Sequence, residues 1–153
     1  MFTHDDPPEH ARNDVYLTAD EIKQLIDFWV PRLGLQAWNI EFKVLPWVDM
    51  PMDGTQGTCS YSYPLRRATV SLLDPRDHRP GGDRHLQYDM ETTLVHELLH
   101  VALAAWSHHS EFHDVKSLTY IDCVEHPVEQ LSIALVALRR ATETKRNRMG
   151  AWR

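Results

Sequence analysis

The chain has 153 residues, of which 42% are apolar and 25% charged. That composition fits one globular domain and excludes collagen-like and wholly disordered chains. Lys and Arg number 16 against 22 Asp and Glu, a net charge of −6, so the molecule as a whole is no electrostatic magnet for nucleic acid or anionic lipid.

Residues 1–15 hold acids, Pro7 and Pro8 but little to bury, and read as a mobile N-terminal tail. Thr18-Ala19-Asp20-Glu21 is a capping box that opens a helix. Ile22, Leu25, Ile26, Trp29 and Leu33 follow as one apolar stripe, and Gly34 ends it. From Trp38 to Val44 apolar and polar side chains alternate strictly, the pattern of a half-buried strand with Trp38, Ile40, Phe42 and Val44 facing in. Pro46 to Gly57 is loop, with Gly54-Thr55-Gln56-Gly57 a candidate rim of a cleft. Two more strands are expected near 58–63 and 68–73, then a turn-rich loop ending in Pro80-Gly81-Gly82-Asp83.

The period then changes to three and four. Leu94, Val95, Leu98, Leu99, Ala102, Leu103 and Trp106 mark a second helix from Asp89 to about Trp106. A last helix is expected from Pro127, which suits the first helical position. Arg139 to Arg153 is rich in Lys and Arg and reads as a solvated helix end and tail. The division is a tail over 1–15, one domain over 16–144 and a basic tail over 145–153. The fold class is α+β with a small, mostly antiparallel three-stranded sheet. Cys59 and Cys123 stand in no CxxC pair and read as thiols of a reducing compartment. With neither a signal-peptide pattern nor the ~20 apolar residues that span a bilayer, the chain is expected to be cytoplasmic.

Within the second helix stands His96-Glu97-Leu98-Leu99-His100. Residues four apart leave the same helix face, so both imidazoles reach one zinc ion at ~2.0–2.1 Å. Glu97, one position round the helix, leans over a metal-bound water as general base and later acid. With ten histidines in the chain, the five letters arise by chance in roughly one shuffled sequence in 25. The surroundings sharpen the signal. Leu94, Val95, Leu98, Leu99, Val101 and Ala102 are all apolar, and an unpartnered His–Glu–His trio on so apolar a helix is costly.

This segment resembles the active-site helix of the zincin metallopeptidases, and the order of small sheet, helix and further helix resembles a minimal zincin core. Leu103 and Trp106 stand where the metzincin extension needs Gly and His. The remaining likeness is to gluzincins, including compact ImmA/IrrE-type and small phage-encoded peptidases. Their following helix carries a Glu in a segment similar to Glu129 through Leu138. The resemblance implies zinc on His96, His100 and Glu129, with Glu97 as the catalytic residue and a protein or peptide as substrate. Alternative third ligands are Glu125 and a histidine among His108, His109 and His113, the last resembling a SprT-type arrangement. Tyr120, His109, His113, Arg66 and Arg67 are candidate oxyanion donors. Zincins pair the substrate backbone with an edge strand, for which Ala68–Leu73 is the candidate. Two other readings stay open: an inactive zincin-like binding module with structural zinc, and a nucleic-acid contact through the basic tail.

Overall fold

A computed structural model describes residues 14–51, 55–78, 87–109 and 120–150. Most of the tail assigned to 1–15, the Pro80–Asp83 loop, Gly54, His113 and residues 151–153 lie outside them. Over the described residues the protein is α+β, with four α-helices and one three-stranded sheet.

Helix α1 spans Ala19–Arg32 and opens on the expected box. Thr18 Oγ1 accepts from the Glu21 amide at 3.3 Å, and the Thr18 amide donates to Glu21 Oε2 at 2.8 Å. Ile22, Leu25 and Trp29 are its buried stripe. Gly34, at φ +71°, supplies the left-handed turn that lets the chain leave the helix.

Strands β1 (Asn39–Leu45), β2 (Gly57–Ser62) and β3 (Arg67–Leu73) follow. Their order is β1-β3-β2, with β2–β3 antiparallel and β1–β3 parallel. The sheet is therefore mixed rather than mostly antiparallel. Alternation identifies a strand but not its neighbour. The segment 46–56 is long enough to cross the ~10 Å of two strand spacings, so β2 lands one slot away and β3 returns between the two. Ala68, Val70 and Leu72 of β3 face the helices and are buried. Val44, on the edge strand β1, faces the same way yet stays 43% exposed.

Helix α2 (Met90–Ala102) lies against the sheet. Asp89 caps it, accepting from the Glu91 and Thr92 amides at 3.1 Å each. It is apolar almost all round, with Leu94, Val95, Leu98, Leu99 and Val101 buried. It ends at Leu103 rather than near Trp106, and a separate α3 covers Ala104–His109. The start of α2 also holds the chain's first described residues. Asp14 Oδ1 accepts from the Tyr88 amide at 2.7 Å, and Val15 exchanges backbone bonds with Tyr88 and Met90. Residues 14 and 15 thus belong to the domain and not to a tail.

The backbone is already helical at Tyr120, the first described residue of this segment, well before Pro127. The turn Ile121–Glu125 is π-helical, with the His126 amide donating five residues back to Ile121 O, and α4 (His126–Gly150) continues from it. Proline has no N–H to give, and its ring crowds the carbonyl a turn earlier. A widened turn relieves that crowding. Residues 145–150, assigned from sequence to a tail, are helix.

Candidate metal centre

Helices α2 and α4 pack side by side. Their contacts run in opposite chain directions, with His100 meeting Glu125, His96 meeting Glu129, and Glu91 meeting Arg139. The site lies at the His96–His100 end of this antiparallel pair.

His96 and His100, one turn apart, turn their rings together at a centroid distance of 4.9 Å. Their Nε2 atoms are 3.1 Å apart. Glu125 closes the group, with Oε2 3.4 Å from His96 Nε2 and Oε1 3.4 Å from His100 Nε2. Four ligands at ~2.05 Å in a tetrahedron stand about 3.3 Å apart; the two Nε2 atoms are near that spacing, and each has one Glu125 oxygen near it as well. His96, His100 and Glu125 are the group among the described residues whose donor atoms converge on one point.

Glu129, expected from the resemblance as third ligand, is placed elsewhere. Its Oε2 lies 3.0 Å from Nδ1 of His96, on the far side of the ring. A carboxylate there accepts from Nδ1–H, which favours the neutral ring with its Nε2 lone pair free once a cation takes over the Nε2 contact to Glu125. This is the tautomer a metal requires, and outer partners of this kind raise ligand basicity. The π-turn accounts for the position of Glu125. It brings Glu125 into the helical run, whereas a helix beginning at Pro127 leaves it in a loop. Of the alternative ligands, His108 and His109 fall in α3, with side chains outside the described ones, and His113 lies outside as well.

The charges in the group hold one another. Hydrogen bonds from His100 and His96 keep Glu125 well below the usual carboxylate range. Burial alone lowers the pKa of His96, but Glu125, Glu97 and Glu129 outweigh it and hold the imidazole above its ordinary value. Glu97 is 7% exposed. Its burial overrides the two nearby imidazoles and pushes the carboxyl up to about 7. Tyr120, a candidate oxyanion donor, hydrogen-bonds Glu125, and burial with that neighbour raises its phenol. Arg66 and Arg67 sit at the β2–β3 turn and the start of β3, and neither lines the cleft beside His96.

A cleft of about 660 Å³ opens beside the group, lined by His96, Glu97 and Glu129 and, across it, by Thr55, Gln56 and Gly57. The rim proposed from sequence thus reaches it at 55–57. Gly57 is there for want of space. A Cβ on it meets Thr93 Cγ2 at 2.5 Å and Glu97 Oε1 at 3.0 Å. The strand beside the cleft is β2, not Ala68–Leu73. β3 is central and paired on both sides, so it has no free edge. Leu73 N–H bonds Gln56 O, and antiparallel alternation then turns the amides and carbonyls of Gly57, Cys59 and Tyr61 to the side away from β3, where no strand pairs with β2 among the described residues. The Cys59 thiol faces Glu97, and burial pushes it up to about 12, which keeps it protonated and unreactive.

Sequence reasoning also missed a second polar cluster. Arg139 and Arg140, read as part of a solvated run, turn inward. Arg139 pairs with Glu91 through Nε–Oε1 and through Nη2–Oε2 at 2.6 Å. Arg140 grips Asp89 with two bonds of 2.7 and 2.9 Å and reaches Glu91 Oε2 at 3.1 Å. Trp29 Nε1 donates to Glu91 Oε1 at 3.2 Å. Glu91 is 1% exposed. The signal was an Asp-x-Glu at the head of one helix and an Arg-Arg doublet on the other, legible only once the helices are known to be antiparallel. No family model and none of the curated proteins match the chain.

Proposed function

We propose that the chain is a zinc-dependent metallopeptidase, with the ion on His96, His100 and Glu125 and with Glu97 as the group that moves the proton. The observation that carries this reading is the donor geometry: His96 Nε2 and His100 Nε2 lie 3.1 Å apart, each with one oxygen of Glu125 at 3.4 Å, and Glu129 stands against the other ring nitrogen of His96. Three protein ligands leave a fourth position open, as catalytic zinc requires. Bound there, zinc supplies Lewis acidity to a peptide carbonyl and brings the pKa of a coordinated water to about 7.

The remaining work belongs to the chain's own residues. Glu97 lines the cleft next to His96, and its buried carboxylate is placed to accept a proton there and return it to a leaving amine. Glu129 fixes the His96 ring, and Tyr120 steadies Glu125. The β2 edge, unpaired among the described residues, offers the backbone groups of Gly57, Cys59 and Tyr61 to an extended peptide, which gives affinity through main-chain bonds.

The test uses Glu97→Gln. The variant is expected to keep one zinc per chain and to lose hydrolysis of casein or a peptide mixture, while the parent loses activity to a chelator and regains it with zinc. Undiminished cleavage by Glu97→Gln overturns the assigned role. One zinc per chain with no cleavage by the parent overturns the hydrolase reading in favour of a zinc-held binding module.

A further inference from the structure

The cleft continues past the donor group along α4, and its lining there changes character. Ile133, Val136 and Ala137 follow Glu129 at four, seven and eight residues, so they share its helix face. All three line the cleft. Val136 is 2% exposed and forms a floor, while Ile133 stays 46% exposed on the wall. Arg140, on the same face, ends the stripe, and Thr93 and Asp89 line the opposite side. From Glu129 to Arg140 the helix rises about 16 Å, and the apolar part is the middle third, the length of one or two side chains.

Of the charged groups that line the cleft, Glu97 stands at the His96 end, and the others already have partners. Arg140 and Asp89 share two hydrogen bonds, and Glu129 holds His96. A charged side chain entering here loses hydration without gaining a partner, which is costly. An aliphatic or aromatic one instead covers Ile133.

We infer that the Ile133–Val136–Ala137 face of α4 is a specificity pocket for a bulky apolar side chain of the bound polypeptide. The inference rests on the hydrolase reading for its place beside a scissile bond, but its test does not depend on turnover. Zinc-loaded Glu97→Gln protein is titrated with dansyl-labelled decapeptide amides of Ser, Gly and Ala that differ at one central residue, Leu, Phe, Asp or Lys. The Leu and Phe peptides are expected to bind at least about tenfold more tightly than the Asp and Lys peptides, the effect of burying one large apolar side chain. Adding Ala137→Phe fills the pocket and is expected to erase that preference with zinc content unchanged. Ala134→Phe, on an exposed part of α4 that does not line the cleft, is expected to leave it intact. In the parent enzyme, cuts in a denatured protein are expected beside Leu, Ile, Met and Phe. Equal binding of the four peptides, preference for Lys or Asp, or indifference to Ala137→Phe overturns the pocket. Apolar-selective binding with no cleavage by the parent keeps the pocket and removes the hydrolase.

Discussion

Gly57→Ala tests how closely the sheet approaches the reactive carboxylate. A Cβ at this position lies 2.5 Å from Thr93 Cγ2, 3.0 Å from Glu97 Oε1 and 3.2 Å from Glu97 Cγ. Ordinary contact requires about 3.4 Å or more, so the Thr93 methyl must yield by close to 1 Å and the Glu97 side chain by a few tenths. Overpacking of this kind costs about 1–3 kcal/mol. The lower chain entropy of Ala in the unfolded state returns about 0.4–1 kcal/mol, leaving a net loss of about 1–2 kcal/mol. Urea denaturation of the chelated protein reads it. The second member of the cycle is Thr93→Ser, which removes the methyl at 2.5 Å but keeps the hydroxyl bond to Asp89 O at 3.0 Å. The double variant is expected to regain most of the stability. Turnover is expected to stay down about tenfold, because Glu97 is still displaced and small misplacements of reacting groups are expensive. Gly57→Ala with the stability of the parent, or a double variant no more stable than Gly57→Ala, refutes the reasoning.

Three further outcomes follow from the same geometry. Glu125→Gln is expected to weaken zinc binding more than about 100-fold and Glu129→Gln by about 10–100-fold, as for outer partners generally. Competition with a chromophoric chelator measures both, and the reverse order restores Glu129 as the ligand. Chelated protein is expected to lose stability as pH rises from about 4.5 to 7. The Glu97 pKa is about 7 in the fold against 4.5 in a model side chain, so the fold favours the protonated form; the contribution is full below 4.5, fades through that window and is flat above it. Glu97→Gln removes this loss and is therefore expected to exceed the parent above pH 7, by as much as about 3 kcal/mol; equal stability at pH 8 contradicts the buried carboxylate. Tyr120→Phe is expected to lower zinc affinity through Glu125 while leaving the apolar core intact, and an unchanged affinity removes Tyr120 from the support of that ligand.

Several of these features were legible in the residues alone. The Thr18–Glu21 box, the Ile22–Leu25–Trp29 stripe and the Gly34 stop are local, and local chemistry decides them. The His96–His100 pair was legible because a four-residue spacing has one geometric meaning on a helix. Strand order was not, since Ile40 and Val70 alternate alike whether their strands run parallel or antiparallel. Glu125 was misplaced for a different reason. Pro127 is a sound helix-start signal, but a π-turn absorbed it and extended the helical run backward. The matching clue was in the sequence: Glu125 and Glu129 are four apart, as His96 and His100 are, and antiparallel packing sets the two pairs face to face. Arg139 and Arg140 were misread because a basic run is solvated unless a buried acid awaits it, and Glu91 showed its burial only in the fold.

That buried acid bears on the donor group although it lies at the other end of α2. The same two helices are joined by His100–Glu125 and His96–Glu129 at one end and by Glu91–Arg139 and Asp89–Arg140 at the other. Sliding α4 by one turn, about 5.4 Å, breaks every one of these pairs, yet the apolar contacts between the helices tolerate such a shift far better. Buried ion pairs seldom add net stability over apolar residues of like size, and fixing register is the best attested use for them. Glu91→Gln alone is expected to cost about 3 kcal/mol, because Arg139 loses its buried partner and keeps only Glu143, while Arg140 keeps Asp89. Glu91→Met combined with Arg139→Met is expected to recover most of that in urea denaturation. If the cluster sets register, this repacked variant binds zinc about tenfold more weakly than the parent despite its restored stability, since Glu125 is no longer held opposite His96 and His100. Parent-like zinc affinity in the repacked variant would instead make the cluster a matter of packing alone and leave the π-turn and Tyr120 as the elements that place Glu125.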